Sequence, residues 1–328
     1  MGGQDFTRAA MAMTVAGSIA LARPEAATAQ VSEFRTGVEM VALTVTVTDG
    51  SGRYVTHLTA PDFVVVEDGV RQPVSFFAAG EVPVDVALVI DASASMRADM
   101  PMVRAAAKGL LRSLEPHDRS AILAVTASVS VPRPFSSNHA ETAAGLDDVS
   151  ASGSSAIFDG LYVALRELEK GRQWDTDVRR KVLVLLSDGL DTSSHLSAED
   201  VADTARRVGA SVYLIVLSAV DAMPGVHIPR EQARARFDLR ALASDTGGRS
   251  FSPAKASELA RVYEAIACEL DSQYDLGYLP PMTGRGEAFR RVAVRVLPPA
   301  VGVARTRSGY YSPRASEPVV GDHTGPRQ

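Results

Sequence analysis

Val84–Ser95 reads VDVALVIDASAS, and the reading of this stretch decides the fold. From Val84 to Ile90 nearly every position is apolar, so neither side of the segment is suited to water. That is the mark of a strand buried on both faces, as in a parallel sheet covered by helices. The run then ends abruptly on Asp91, Ser93 and Ser95. In an extended turn alternate side chains point the same way, so these three converge. One carboxylate and two hydroxyls form an all-oxygen set, suited to a hard cation such as Mg²⁺ rather than to zinc or copper.

Working outward, the same alternation of elements continues. Met102–Leu114 places Val103, Ala106, Ala107, Leu110, Leu111 and Leu114 on one helical face. Ala121–Val131 supplies one or two strands and Leu161–Leu168 a helix. Lys181–Ser187 (KVLVLLS) and Ser211–Leu217 (SVYLIVL) are further apolar strands, with a helix over Asp200–Val208 between them. A short helix at Leu239–Ser244, a brief strand at Gly248–Phe251 and a long helix at Ala256–Leu270 follow. The expected class is therefore α/β, a doubly wound, mostly parallel sheet over residues 82–272. Ala219–Arg236 has no clean period and reads as a surface excursion, its basic run Arg230–Arg236 as a solvated loop.

The flanks have a different period. Val41, Leu43, Val45 and Val47 alternate with smaller or hydroxylated residues, as in a half-buried strand. Phe63–Glu67, Asp68-Gly69 and Val70–Gln72 read as a hairpin with a type I′ turn. Tyr274–Tyr278, Arg290–Val296, Val301–Arg305 and Gly309–Tyr311 are strands again. Neither flank has enough strands to be stable alone. One small all-β domain is expected, built from 35–80 and 273–313, with the α/β domain inserted. Residues 314–328 read as a disordered tail. At the other end, a short charged head, the apolar run Ala9–Ala22 and the small residues Ala27-Thr28-Ala29 follow the order of a secretory signal peptide spanning 1–29. An uncut membrane anchor or an amphipathic helix is the alternative.

Two further stretches belong to the same sheet edge as Asp91, where open α/β sheets bind ligands. Ser187-Asp188-Gly189 follows an apolar strand and adds a second carboxylate. Gly153–Asp159 leads into a helix and can add another hydroxyl. Helix capping and turn closure are the competing roles for such residues, and Asp191 reads as a loop brace of that kind.

Composition narrows the functions. The 328 residues carry 34 basic and 39 acidic side chains, net −5, so nothing drives the chain globally toward nucleic acid. No zinc-type histidine pair, Walker A loop, Gly-x-Gly-x-x-Gly or Gly-x-Ser-x-Gly occurs. The single Cys268 excludes an internal disulfide and reads as a small core residue of a helix. Trp174, in a polar linker, reads as packed on its own domain, with partner contact as the other reading.

Asp-x-Ser-x-Ser after the first apolar strand, a hydroxyl before a helix and Ser-Asp-Gly after a later strand together resemble the von Willebrand factor type A domain. Thr246-Gly247-Gly248 before Phe251 resembles its last turn. The flanking Val45-Thr46-Val47-Thr48-Asp49, Asp62–Gly69, Gln273–Tyr278 and Arg307–Tyr311 resemble a bacterial exported subgroup, over about residues 36–313. The resemblance implies a metal-ion-dependent adhesion site (MIDAS) whose ligands would be Asp91, Ser93, Ser95, Ser155 and Asp188. Ser155 stands where the family usually has threonine, which keeps the hydroxyl and loses a stiffening methyl. It further implies bound Mg²⁺, or Mn²⁺ or Ca²⁺, and an exported, non-enzymatic, adhesion-like protein, periplasmic or extracellular, gripping an acidic residue of a protein partner. A structural module of a cell-envelope complex, with incidental metal, is the alternative. A metal-assisted hydrolase is the third, and lacks an evident general base.

Overall fold

The computed structural model describes residues 40–80, 82–170, 178–217, 230–281, 288–298 and 302–312. Segment 1–29, read above as a signal peptide, Trp174, positions 219–229 of the expected loop and the expected tail 314–328 lie outside the described residues.

Strand β5 (Val84–Asp91) is the middle of a six-stranded sheet. Its neighbours are β6 (Arg119–Val125) and β8 (Arg180–Ser187), both parallel to it. Beyond β8 lie β9 (Ser211–Val216) and the short β10 (Ser250–Phe251), also parallel. Beyond β6 lies β7 (Val129–Ser136), the one antiparallel neighbour. Its Pro132 and Pro134 suit an edge, because proline cannot donate to a ladder.

The apolar run is what a strand between two helical layers requires. Val86, Leu88 and Ile90 face one layer, with helices α1 (Met100–Ser113) and α6 (Leu259–Asp271). Ala87 and Val89 face the other, with α3 (Ile157–Lys170), α4 (Ala198–Val208) and α5 (Arg230–Asp245). Each strand thus feeds two cores by side-chain alternation. A short helix α2 (His139–Ala144), capped by Asn138, was not legible in the sequence. Helix α5 is the larger difference. It begins at Arg230, so the basic run is helix and not loop. Its residues are good helix formers, but the first buried position is Arg236, ahead of Leu239, Leu242 and Ala243, and a charged residue there hid the apolar period.

The flanking strands form two four-stranded antiparallel sheets. In one, β1 (Val41–Thr48) pairs with β11 (Tyr274–Tyr278) and with β13 (Val303–Arg305), and β11 pairs with β4 (Phe76–Ala79). In the other, β2 (Phe63–Glu67) pairs with β3 (Val70–Gln72) and with β12 (Phe289–Val296), whose far side holds β14 (Gly309–Tyr311). Asp68 and Gly69 both have positive φ, 47° and 85°, as a type I′ turn demands. Val41, Leu43, Val45, Phe63 and Val65 share one core with Tyr274, Leu276, Tyr278, Val292 and Val294.

Polar groups tie these sheets to the central one. Glu269 of α6 is fully buried. It accepts hydrogen bonds from Tyr213 Oη of β9 (2.7 Å) and Tyr54 Oη (3.2 Å), and pairs with Arg305 of β13. Its helix neighbour Cys268 is exposed, which corrects the expectation of a core cysteine. The buried face of α6 runs through Leu259, Tyr263, Ile266 and Leu270, and Cys268 falls off that stripe.

A second buried carboxylate, Asp275 of β11, is less well served. Thr44 Oγ1 of β1 donates to its Oδ1 (3.0 Å), while Oδ2 has no hydrogen-bond partner and lies 3.8 Å from Arg180 Nε of β8. Arg180 spends its donors on the Val82 and Leu270 carbonyls and on Gln273. Burial pushes the Asp275 carboxyl up to about 6, against the opposing pull of Arg180. A carboxyl raised in the folded state contributes stability that is present at low pH and lost as pH rises through that value. The wild type should therefore lose about 2 kcal/mol, relative to Asp275→Asn, between pH 4.5 and 8. Urea unfolding of both proteins across that range checks it, and parallel pH profiles would refute it.

Candidate metal centre

Asp91 ends β5 and has no exposed surface. Its Oδ1 accepts from the Ser93 amide (2.9 Å) and its Oδ2 from the Ser187 hydroxyl (2.7 Å). Ser187 Oγ in turn accepts from the Gly189 amide (2.9 Å). Burial raises the Asp91 carboxyl above its ordinary range, the bonds from Ser187 and Ser93 oppose this, and the charge of Asp188 adds to the rise. Two residues on, Ser93 Oγ and Ser95 Oγ lie 3.0 Å apart, the first buried and the second exposed. The first loop thus presents the three oxygen-bearing side chains together.

Backbone bonds join it to the second loop. The Ala94 amide donates to the Gly153 carbonyl (3.0 Å) and the Ser152 amide to the Ala92 carbonyl (2.7 Å). The third loop then clamps Ser155. Its amide donates to Thr192 Oγ1 (3.0 Å), and its carbonyl accepts from the Thr192 and Ser193 amides (2.8 and 3.0 Å). With its backbone fixed in this way, Ser155 is 2% exposed and its hydroxyl has no hydrogen-bond partner. Asp188 follows β8, half-buried, with Oδ1 accepting from the Leu190 amide (3.0 Å).

Asp191 acts as the loop brace expected of it. Its Oδ1 accepts from the Ile157 amide (2.8 Å), capping α3 from another loop, and from Ser194 Oγ (2.6 Å). Asp159 holds the other side of that loop, accepting from the His195 and Leu196 amides and facing His195 Nδ1 at 3.0 Å. That histidine stands exposed in the third loop.

Three supporting residues were not singled out from the sequence. Ser187 orients Asp91, Thr192 holds Ser155, and Arg236 of α5 donates from Nη2 to the Asp188 carbonyl (3.0 Å). Ser187 was visible as the first letter of Ser-Asp-Gly. The other two contacts join positions 37 and 48 residues apart, and no local pattern encodes them.

The chemistry of this edge is that of hard oxygen. It offers two carboxylates and three hydroxyls, one of them buried and unspent. Among the described residues no group of three or more His, Cys, Asp or Glu side chains is placed to hold a metal. A cation here would depend on serine oxygens as much as on carboxylates, a donor set that suits Mg²⁺ or Ca²⁺.

The model of the von Willebrand factor type A domain matches residues 85–265, more than half of the chain. The uncharacterized protein sll0103 of Synechocystis sp. (strain ATCC 27184 / PCC 6803 / Kazusa) is 32% identical over 110 residues, 33% of this chain and 25% of that protein. The chain therefore spans about a quarter of the length of that curated relative. Among solved structures, the von Willebrand factor type A protein of Catenulispora acidiphila has a TM-score of 0.48 at 14% identity, covering 83% of this chain and 73% of its own. Proximal thread matrix protein 1 of the mussel byssus, with a zinc-occupied MIDAS motif, has a TM-score of 0.45 at 19% identity, covering 61% and 48%. From its central sheet, its helical layers and the family match over residues 85–265, the chain belongs to the von Willebrand factor type A domain family.

Proposed function

We propose that this protein is a non-enzymatic, adhesion-like module that recognises a partner's carboxylate through a divalent cation. Asp91, Ser93, Ser95, Ser155 and Asp188 would hold the cation, with Mg²⁺ the first candidate and Mn²⁺ or Ca²⁺ the others. Bound there, the cation would supply a Lewis-acidic position for an outside carboxylate oxygen. The observation that carries the reading is Ser155 Oγ, buried yet without a partner, at the edge that also holds Asp91 and Asp188. A buried hydroxyl left unmade costs about 1–3 kcal/mol, and a cation is a ligand able to repay it.

The protein's own residues do the preparatory work. Ser187 and the Ser93 amide hold the Asp91 carboxylate in one orientation, and the third loop holds Ser155 by four bonds. Preorganisation of this kind reduces the ordering cost of binding. Only two of the five side chains are anionic, so the cation would keep enough charge to attract a third carboxylate.

Mg²⁺ titrated calorimetrically into the wild-type chain should bind at one site, and Asp91→Ala should abolish it. Ser155→Ala should weaken affinity about tenfold without unfolding the protein. At a Mg²⁺ concentration of 100 times Kd the wild type should gain about 2.7 kcal/mol in stability. No heat with Mg²⁺, Mn²⁺ or Ca²⁺ would end the cation reading. If Mg²⁺ binds but an identified partner still binds Asp91→Ala, the scaffold reading takes its place.

The pH dependence has a definite sign. The cation requires ionised Asp91, and burial makes that carboxyl hold its proton at higher pH than usual. The Mg²⁺-dependent rise in melting temperature should therefore shrink as pH falls from 8 to 5. An unchanged rise would show that Asp91 is not a ligand.

Export completes the proposal and rests on the sequence of 1–29. Expression of the chain in a bacterium should give a secreted or periplasmic product whose intact mass starts near Gln30. A cytoplasmic, full-length product would refute it.

A further inference from the structure

We propose that Arg236 is a positioning residue for the cation site, acting through the backbone of the third loop. This rests on the cation reading above. The ladder between β8 and β9 reaches its end where the Leu217 amide donates to the Ser187 carbonyl (2.8 Å). The next carbonyl along the chain is that of Asp188, and its donor is Arg236 Nη2 at 3.0 Å. A side chain from α5 therefore takes over where the strand neighbour stops.

Arg236 is built into this place. It is 6% exposed, although it belongs to a surface helix. Leu239, Leu242 and Ala243 follow it on the buried face of α5. Its aliphatic stem lies over Gly189, where a Cβ would come within 3.0 Å of Arg236 Cγ and 3.2 Å of Val216 Cγ1. Gly189 also has φ of +79°, so the turn after Asp188 disfavours any side chain on conformational grounds, and the space beside it is tight. Burying a guanidinium is costly unless it is hydrogen-bonded, and here it reaches the backbone of a proposed ligand.

The direction of the Asp188 carboxylate follows from this. It depends on the orientation of the Asp188–Gly189 peptide, which Arg236 fixes at the carbonyl. The Leu190 amide fixes the carboxylate itself at Oδ1. Without the first bond the peptide can rotate, and the Asp188 carboxylate loses its fixed direction. Supporting contacts of this type change metal affinity by about 10–100-fold.

The test is calorimetric titration of the full chain with Mg²⁺, on wild type, Arg236→Met, Arg236→Lys and Asp91→Ala, with metal-free melting temperatures in parallel. Arg236→Met keeps the stem and loses the donor, and its Mg²⁺ affinity should fall at least tenfold. Arg236→Lys keeps one donor and should recover part of that loss. A methionine variant with lowered melting temperature and wild-type Mg²⁺ affinity would make Arg236 purely structural and overturn the proposal. Tighter Mg²⁺ binding by Arg236→Met would overturn it too, since the arginine would then act by repelling the cation. If Arg236→Met does not fold, Arg236→Lys decides: Mg²⁺ affinity equal to wild type refutes positioning by the guanidinium. Wild type that binds no divalent cation defeats the underlying reading instead, which separates the two failures.

Discussion

A carboxylate with no exposed surface at the end of the central strand is the constraint on which this structure turns. Asp91 lies where β5 leaves the sheet, so its two oxygens must be satisfied by loops and not by water. The first loop curls back to give the Ser93 amide. The neighbouring strand β8 must end at Ser187, in register to give its hydroxyl. Once those are in place, Gly189 is drawn onto Ser187 and the second loop is drawn onto the first through Ala92 and Ala94. The third loop then closes on the second through Thr192. A single buried charge thus recruits three loops that are far apart in sequence.

The layers behind it serve the same end. With β5 flanked by parallel strands on both sides and helices on both faces, its terminus cannot shift without disturbing two cores. Helix α3 is capped not by its own preceding residue but by Asp191 from the third loop. The stiffness of the site comes from such reciprocal dependence, in which each loop supplies the polar groups another needs.

Much of this was legible in the sequence because it is written in local patterns. The doubly apolar strands, the Asp-Gly hairpin and the run from Asp91 to Ser95 each occupy ten residues or fewer. What escaped the sequence was the use of polar groups at core positions. Arg236 occupies the inward stripe of α5, where an apolar side chain would have revealed the helix. Glu269 is buried beside Cys268, which is exposed, reversing what their chemistry suggests. Both arise because long-range partners, the Asp188 carbonyl and the Tyr213, Tyr54 and Arg305 side chains, offset the burial of charge. Such partners belong to the tertiary structure and leave no period behind.

The pairing of β1 with β11 and β13 has a consequence for how the chain acquires its fold. Thr44 meets Asp275, 231 residues later, and Thr46 lies opposite Arg305. Loop closure over such a distance is slow. At about 5–20 residues per second, the ribosome needs on the order of tens of seconds to deliver the partners of β1. During that interval VALTVTVT is an unpaired, β-prone segment with no charge to discourage association. Until then the growing chain carries an orphan first strand beside a central sheet that is itself completed only with β10 and α6, at residue 271. The arrival of the last forty residues of the folded region, and not the formation of the Asp91 core, sets the moment at which it becomes safe.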